Sequence, residues 1–246
     1  MATLITLLLA ALLAVVHILA GRLRFVEAIP RSRWLSMAGG ASVAYVFVHL
    51  LPELHKGQEA IERTGAGAEL FFEHHAYLVA LFGFALFYGL ERLALLSRQK
   101  SRGEKGEDST EPGIFWIHIL SFGVYNGLIG YLLLHLEEPG MWNRVLFSVA
   151  MALHFFVNDY GLRQHHKAAY DRKGRWLLAA PIFIGWTVGM ATEIAKAAIA
   201  VLLAFLAGGV ILNVIKEELP EERESRFWAF ALGAALYTVV LLTAQY

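Results

Sequence analysis

The sequence predicts an all-α membrane protein: a single bundle of eight transmembrane helices in a chain of 246 residues, with both termini outside. Three observations predict it. The composition is 57% hydrophobic with mean hydropathy +0.53, above the roughly 45–50% apolar content of ordinary soluble domains. Apolar stretches recur at close to the ~20 residues that a membrane span requires. Basic residues also alternate from one loop to the next, the pattern that sets orientation in a bilayer.

The apolar segments run over 3–20, 34–51, 76–96, 114–134, 142–161, 176–191, 197–215 and 227–244. The first has no basic residue before it and outruns a signal-peptide core, so it reads as a retained spanning helix. The second ends at Leu51-Pro52-Glu53 and the seventh at Leu219-Pro220-Glu221, where proline biases the preceding residue away from helix. Only Thr192, Glu193 and Lys196 interrupt the run from 176 to 215. About 40 residues of helix would measure roughly 60 Å, twice the hydrocarbon thickness, so a tight hairpin is expected near Glu193. The polar stretch SRQKSRGEKGEDSTEPG is a flexible linker over 97–113 that sets three helices apart from five within one domain spanning 1–246.

Orientation follows from the loops. Arg22, Arg24, Arg31 and Arg33 follow the first segment, and Arg98, Lys100, Arg102 and Lys105 the third. Arg163, Lys167, Arg172, Lys173 and Arg175 follow the fifth, and Lys216, Arg223 and Arg226 the seventh. The intervening loops hold only Lys56 and Arg63, then Arg144, then Lys196. The richer loops belong in the cytoplasm, which places the chain as an integral protein of the plasma (inner) membrane. Formal net charge is zero, so nothing points to nucleic acid. There are no cysteines, which removes disulfides and thiolate ligands together and leaves ten histidines as the nitrogen donors.

Ionisable groups inside a bilayer are costly and face a bundle interior or water. Those at depth are His17, His49, Glu91, His118 and His154, with Asn126, Asn158 and Asn213 as polar companions and Asp159 near the inner boundary. At ~1.5 Å rise per residue, Asn126 and His154 reach similar mid-membrane depth on antiparallel helices. Asn158 shares a face with His154, four residues on. If the fourth and fifth segments pack together, His118, Asn126, His154 and Asn158 form a polar stripe with Asn126 facing His154, while Asp159, about 100° around, faces elsewhere. Gly123, Gly127 and Gly130 permit close helix packing, and each buried His or Asn serves equally as interhelical glue at about 1 kcal/mol. His49 and Glu53, one turn apart, could gather a cation at an outer mouth. His74, His75, His165 and His166 fall in loops on this reading.

Together "GGASVAYVFVHLLPEL", "NGLIG", "HFFVNDYG" and "FLAGGVILNVIKEELPE", with eight helices and a charged loop after the third, make the chain resemble the ZIP family of divalent-metal transporters over nearly its whole length. The departures lie in the metal motifs. Where the family shows His-Asn-x-x-Asp-Gly, this chain has Phe122, Gly123, Asn126 and the matching Gly127. Where the family shows His-Glu-x-Pro-His-Glu-x-Gly, His154 and Gly161 match, while Phe155, Val157, Asn158 and Asp159 stand in the other places. The resemblance implies a metal site of His154, Asn158, Asp159 and Asn126, with His118 on the same stripe and His49 and Glu53 at the entrance. It implies a permease for a zinc-type divalent cation with a weakened site, the ion being substrate and not cofactor. The alternative is a non-transporting ZIP-like membrane protein with a structural or regulatory role. The partners are the lipid bilayer and a divalent metal ion, with a homodimer left open. An enzyme is not expected: zinc catalysis needs about three ligands in one sphere, and His49 and His118 belong near opposite ends of the membrane.

Overall fold

The computed structural model describes residues 2–20, 33–62, 75–106, 108, 110–136, 140–218 and 226–244, and among these every regular element is helical. The helices are α1 (Ala2–Ala20), α2 (Arg33–Tyr45), α3 (Leu51–Glu62), α4 (His75–Lys105), α5 (Pro112–Leu132), α6 (Met141–His166), α7 (Arg175–Ala191), α8 (Lys196–Asn213) and α9 (Phe227–Ala244). Turns of π-helix over Val46–Leu50, Tyr170–Gly174 and Val214–Glu218 join α2 to α3, lead into α7 and continue α8. Among the described residues, five stretches are long and apolar enough to cross a membrane: Ser36–Glu59, Ala76–Glu104, Pro112–Leu132, Met141–His166 and Lys196–Lys216.

The chain divides into two compact units, Met1–Leu23 with Phe87–Thr192 and Arg24–Leu86 with Glu193–Tyr246. The seam passes inside α4 and not through the charged loop after it.

In the first unit α5 packs on α7, and α1 lies against both α6 and α7. The α5–α7 contact is close because small residues face one another. A Cβ on Gly130 would overlap the Ile182 carbonyl, and one on Gly185 would overlap the Gly127 carbonyl. Thr6, Ala10, Leu13, Ala14 and His17 form the buried stripe of α1, while Leu4, Leu8, Leu12, Val15 and Leu19 lie outward. Its outer face is thus more apolar than its inner one, the reverse of a helix on a soluble core. Trp186 Nε1 donates to Thr6 Oγ1 at 3.1 Å, tying α7 to α1.

In the second unit α2 crosses α9 at Gly40 and Gly233, where added Cβ atoms would strike the carbonyls of Phe230 and Met37. Leu54, Ala76, Ala80 and Ala204 form a small core. Gln58 Oε1 accepts the Ala76 N–H at 2.9 Å, satisfying one of the orphan donors that open α4.

Pro52 does not end the second helix, contrary to the sequence expectation. The chain runs through the π turn Val46–Leu50 directly into α3, where Pro52 is the second residue. Proline's missing N–H costs least in a first turn, and the wider π turn just before it accommodates the ring. A π turn over Val214–Glu218 precedes the other Leu-Pro-Glu in the same way; that tripeptide itself lies outside the described residues. The expected interruption near Glu193 is present. α7 ends at Ala191, Thr192 is extended (φ −137°, ψ 145°), and helix resumes at Lys196.

Candidate functional site

The residues singled out from the sequence on α5 and α6 fall into two clusters, both in the first unit. The first is centred on His17 of α1. Its Nδ1 lies 2.9 and 2.8 Å from the two carboxylate oxygens of Asp159 on α6. Its Nε2 lies 2.9 Å from the side-chain amide nitrogen of Asn126 on α5. The same Asn126 nitrogen donates to the Leu178 carbonyl of α7 at 2.9 Å. Pro181 leaves the neighbouring carbonyl, that of Leu177, without its helical donor, so the backbone of α7 is locally open to such contacts.

These contacts fix a tautomer. An amide nitrogen only donates, so His17 Nε2 accepts, and the ring proton sits on Nδ1, where Asp159 receives it. α5 and α6 thus meet on one fully buried histidine of α1, with α7 joined through Asn126, and Asp159 beside it is 1% exposed. Phe155 covers the His17 ring, with centroids 4.3 Å apart.

His154 lies on the far side of Phe155, with ring centroids 6.1 Å apart. The expected pairing of Asn126 with His154 is therefore corrected. The α5 residue whose ring lies against His154 is Tyr125, at 5.6 Å, and Asn126 is taken by His17 and Leu178. The cause is the α5–α7 packing, which turns the glycine face and Asn126 together toward α7. Asn158 is 7% exposed, and its amide nitrogen has no hydrogen-bond partner among the described residues. Asn126 Oδ1 is buried in the same state.

The second cluster gathers His118, His165, His166 and Glu91. His118 Nδ1 and His166 Nε2 are 3.0 Å apart, and Thr110 Oγ1 is 2.6 Å from His166 Nδ1. His165 Nε2 lies 2.5 Å from Glu91 Oε1. His165 and His166 are not loop residues: α6 extends to His166 and buries both. His118 accordingly pairs with His166 and not with the Asn126–His154 level. Of the other two histidines assigned to loops, His75 begins α4 and His74 is outside the described residues.

Just past these helices, Tyr170 is fully buried. Burial first, and then the charge of Asp159, push its phenol well above the usual range, so its hydroxyl remains a donor. In the second unit, His49 sits in the π turn with its ring 5.2 Å from Tyr45. Glu53 is only 9% exposed and pairs with Lys56 at 2.8 Å.

Among the described residues, no three His, Asp or Glu side chains are grouped so as to hold a metal ion. What the sequence reasoning missed is the organising role of His17. A buried histidine on the first helix was visible, but nothing in its spacing relates it to residues 109 and 142 positions away. No family model, no curated protein and no solved structure matches the chain.

Proposed function

We propose that the chain is an integral membrane protein of ZIP-like design, a divalent-cation permease whose mid-membrane site is closed by its own histidine–carboxylate pair. The observation that carries this reading is His17. It engages both oxygens of Asp159, the one carboxylate kept in the α6 motif, and uses its other nitrogen on Asn126, in the α5 motif. A dication arriving there meets an imidazole and a carboxylate already paired with one another, and must displace His17 Nδ1 from Asp159 before it can bind. Weak affinity follows, because zinc favours free imidazole nitrogen and carboxylate oxygen. His154 and Asn158 lie nearby on α6 as further neutral donors, and His118 belongs to a separate pair with His166. Eight spans, outside termini and residence in the plasma membrane complete the proposal, on the strength of the loop charges. The same saturation of Asp159 favours the second reading, a non-transporting protein in which the pair only locks helices together.

Two measurements separate these readings. Zinc flux into proteoliposomes carrying the natural protein supports the permease; absence of both flux and calorimetric binding supports the structural role. Asn126→Asp with Phe155→Glu restores two carboxylates beside His17, and should tighten zinc binding at least about tenfold. Tight zinc binding by the natural protein that His154→Ala and His17→Ala both leave unchanged would place the metal elsewhere and end the proposal.

A further inference from the structure

Beneath the second cluster, where α6 ends, the first unit opens into a cavity of about 530 Å³, within the 300–1,000 Å³ common for ligand sites. We propose that it binds a phosphate-bearing anion, a role independent of cation transport.

The charges that line it point this way. Lys167, Arg172 and Lys173 border the cavity, with Asp108 as the single carboxylate. Asp108 is already matched, because Arg98 grips both its oxygens and Arg102 lies 2.8 Å away. Arg172 has a backbone partner, the Ala168 carbonyl at 3.3 Å. Lys173 sits 6.0 Å from the centre of the Trp116 ring. Lys167 lies 3.8 Å from Asp108, but among the described residues neither Arg172 nor Lys173 has an acidic partner, so the cavity presents more positive charge than its one carboxylate balances.

The backbone adds to this field. Lys167 ends α6 with φ 47° and ψ −122°, a region that residues with a side chain rarely occupy. Such strain persists where the surroundings enforce it and gathers at functional sites. Its effect is to stop one helix and start another. Asp171 N–H bonds the Lys167 carbonyl at 3.1 Å, so the amides of Ala168 and Ala169 open the new helical run, without helical acceptors. Both residues line the cavity. Orphan amides at a helix start, beside several cations, suit the multiple acceptor oxygens of a phosphate group. The Trp116 wall is apolar and partly exposed, able to lie along the glycerol end of a lipid. A phosphate could therefore arrive on a phospholipid or free in solution, and the experiment distinguishes the sources.

The probes are phosphatidylglycerol against phosphatidylcholine, followed by native mass spectrometry of detergent-purified protein, and inorganic phosphate, followed by calorimetry. The variants are Arg172→Gln/Lys173→Gln, the charge-keeping Arg172→Lys/Lys173→Arg, and Lys56→Ala as a cation outside the cavity. Thermal unfolding confirms that each is folded. Retention of phosphatidylglycerol over phosphatidylcholine, weakened about 30-fold in the glutamine pair at roughly fivefold per basic side chain, restored by the charge-keeping pair and untouched by Lys56→Ala, supports a lipid ligand. Phosphate binding with that variant pattern, but no lipid preference, supports a soluble one. Binding that the glutamine pair leaves unchanged, or no binding of either probe, overturns the proposal.

Discussion

His17 shows how one side chain organises a helix junction. Asp159 orients its Nδ1–H, and Nε2 is left to accept from Asn126. Removing the ring should be costly: His17→Ala leaves the buried Asp159 carboxylate without the Nδ1–H it accepts, at about 3 kcal/mol, the upper end for an unsatisfied buried group and fitting for a charged one. Asp159→Asn keeps an acceptor for Nδ1–H and removes the charge, so it should cost about 1–2 kcal/mol, within the range of a single altered hydrogen bond. Thermal unfolding of the two variants checks this order. Equal losses would mean that Asp159 is not the charge that His17 holds. Asn126→Asp is the complementary case, since it sets a second acceptor against Nε2. The ring must then take up a proton or the site a cation, which is why this substitution belongs in the zinc titration.

The elements were partly legible in the sequence, and what escaped has a common cause. Helix spans and the break near Glu193 follow from apolar length and need no partner to be inferred. Which face of a helix meets which neighbour does not follow, so Asn126 was set against His154 when the glycines of α5 carry it to α7. Pro52 escaped because a proline reads as a terminator unless the turn before it can widen, and a π turn has no residue signature of its own. Two predictions belong at this scale. Gly130→Ala places a methyl in the Ile182 carbonyl and should cost about 1–3 kcal/mol as overpacking, whereas a Cβ on Gly127 would meet Pro181 atoms no nearer than 3.6 Å and should be nearly neutral. Comparable melting of the two variants would refute the tight α5–α7 crossing. The second concerns Asp108, clamped by Arg98 and Arg102. The Arg98 hydrogen bond is the main cause that holds its carboxyl well below the usual range. A depressed carboxyl stabilises above its unfolded pKa of about 3.9 and loses that contribution as pH falls toward the lower native value. Amide exchange near Asp108, taken relative to the intrinsic rate at each pH, should therefore be steady from pH 7 to about 4 and rise only below. Asp108→Asn should raise exchange at pH 7 and abolish the acid step; exchange that climbs already at pH 6 would exclude the clamp.

At the scale of the whole molecule, the resemblance to ZIP transporters and the orientation rest on sequence, and the structure bears on how each can be tested. Alternation of basic loops predicts residues 97–113 in the cytoplasm and residues 52–75 outside. A single labelled cysteine on each side decides it, provided the position reaches water. Ser101 is a poor choice: contrary to a linker starting at 97, α4 runs on to Lys105, and Ser101 is buried within it. Gly103 is better, being exposed with nothing within 4 Å of an added Cβ. Glu59 serves for the other side, its side chain half exposed. From Arg33 at the inner end, Glu59 is 26 residues along, about 39 Å at 1.5 Å per residue, which exceeds the ~30 Å hydrocarbon core. In sealed right-side-out vesicles an impermeant maleimide should modify Glu59→Cys at once, and Gly103→Cys only after the membrane is opened. The natural chain has no cysteine, so the background is nil. Reversed accessibility would keep the spans but invert the protein, making the basic cavity beside Lys167 face outward. Labelling of both from the same side would mean that the chain crosses the membrane an even number of times between them, and the eight-span topology would fall.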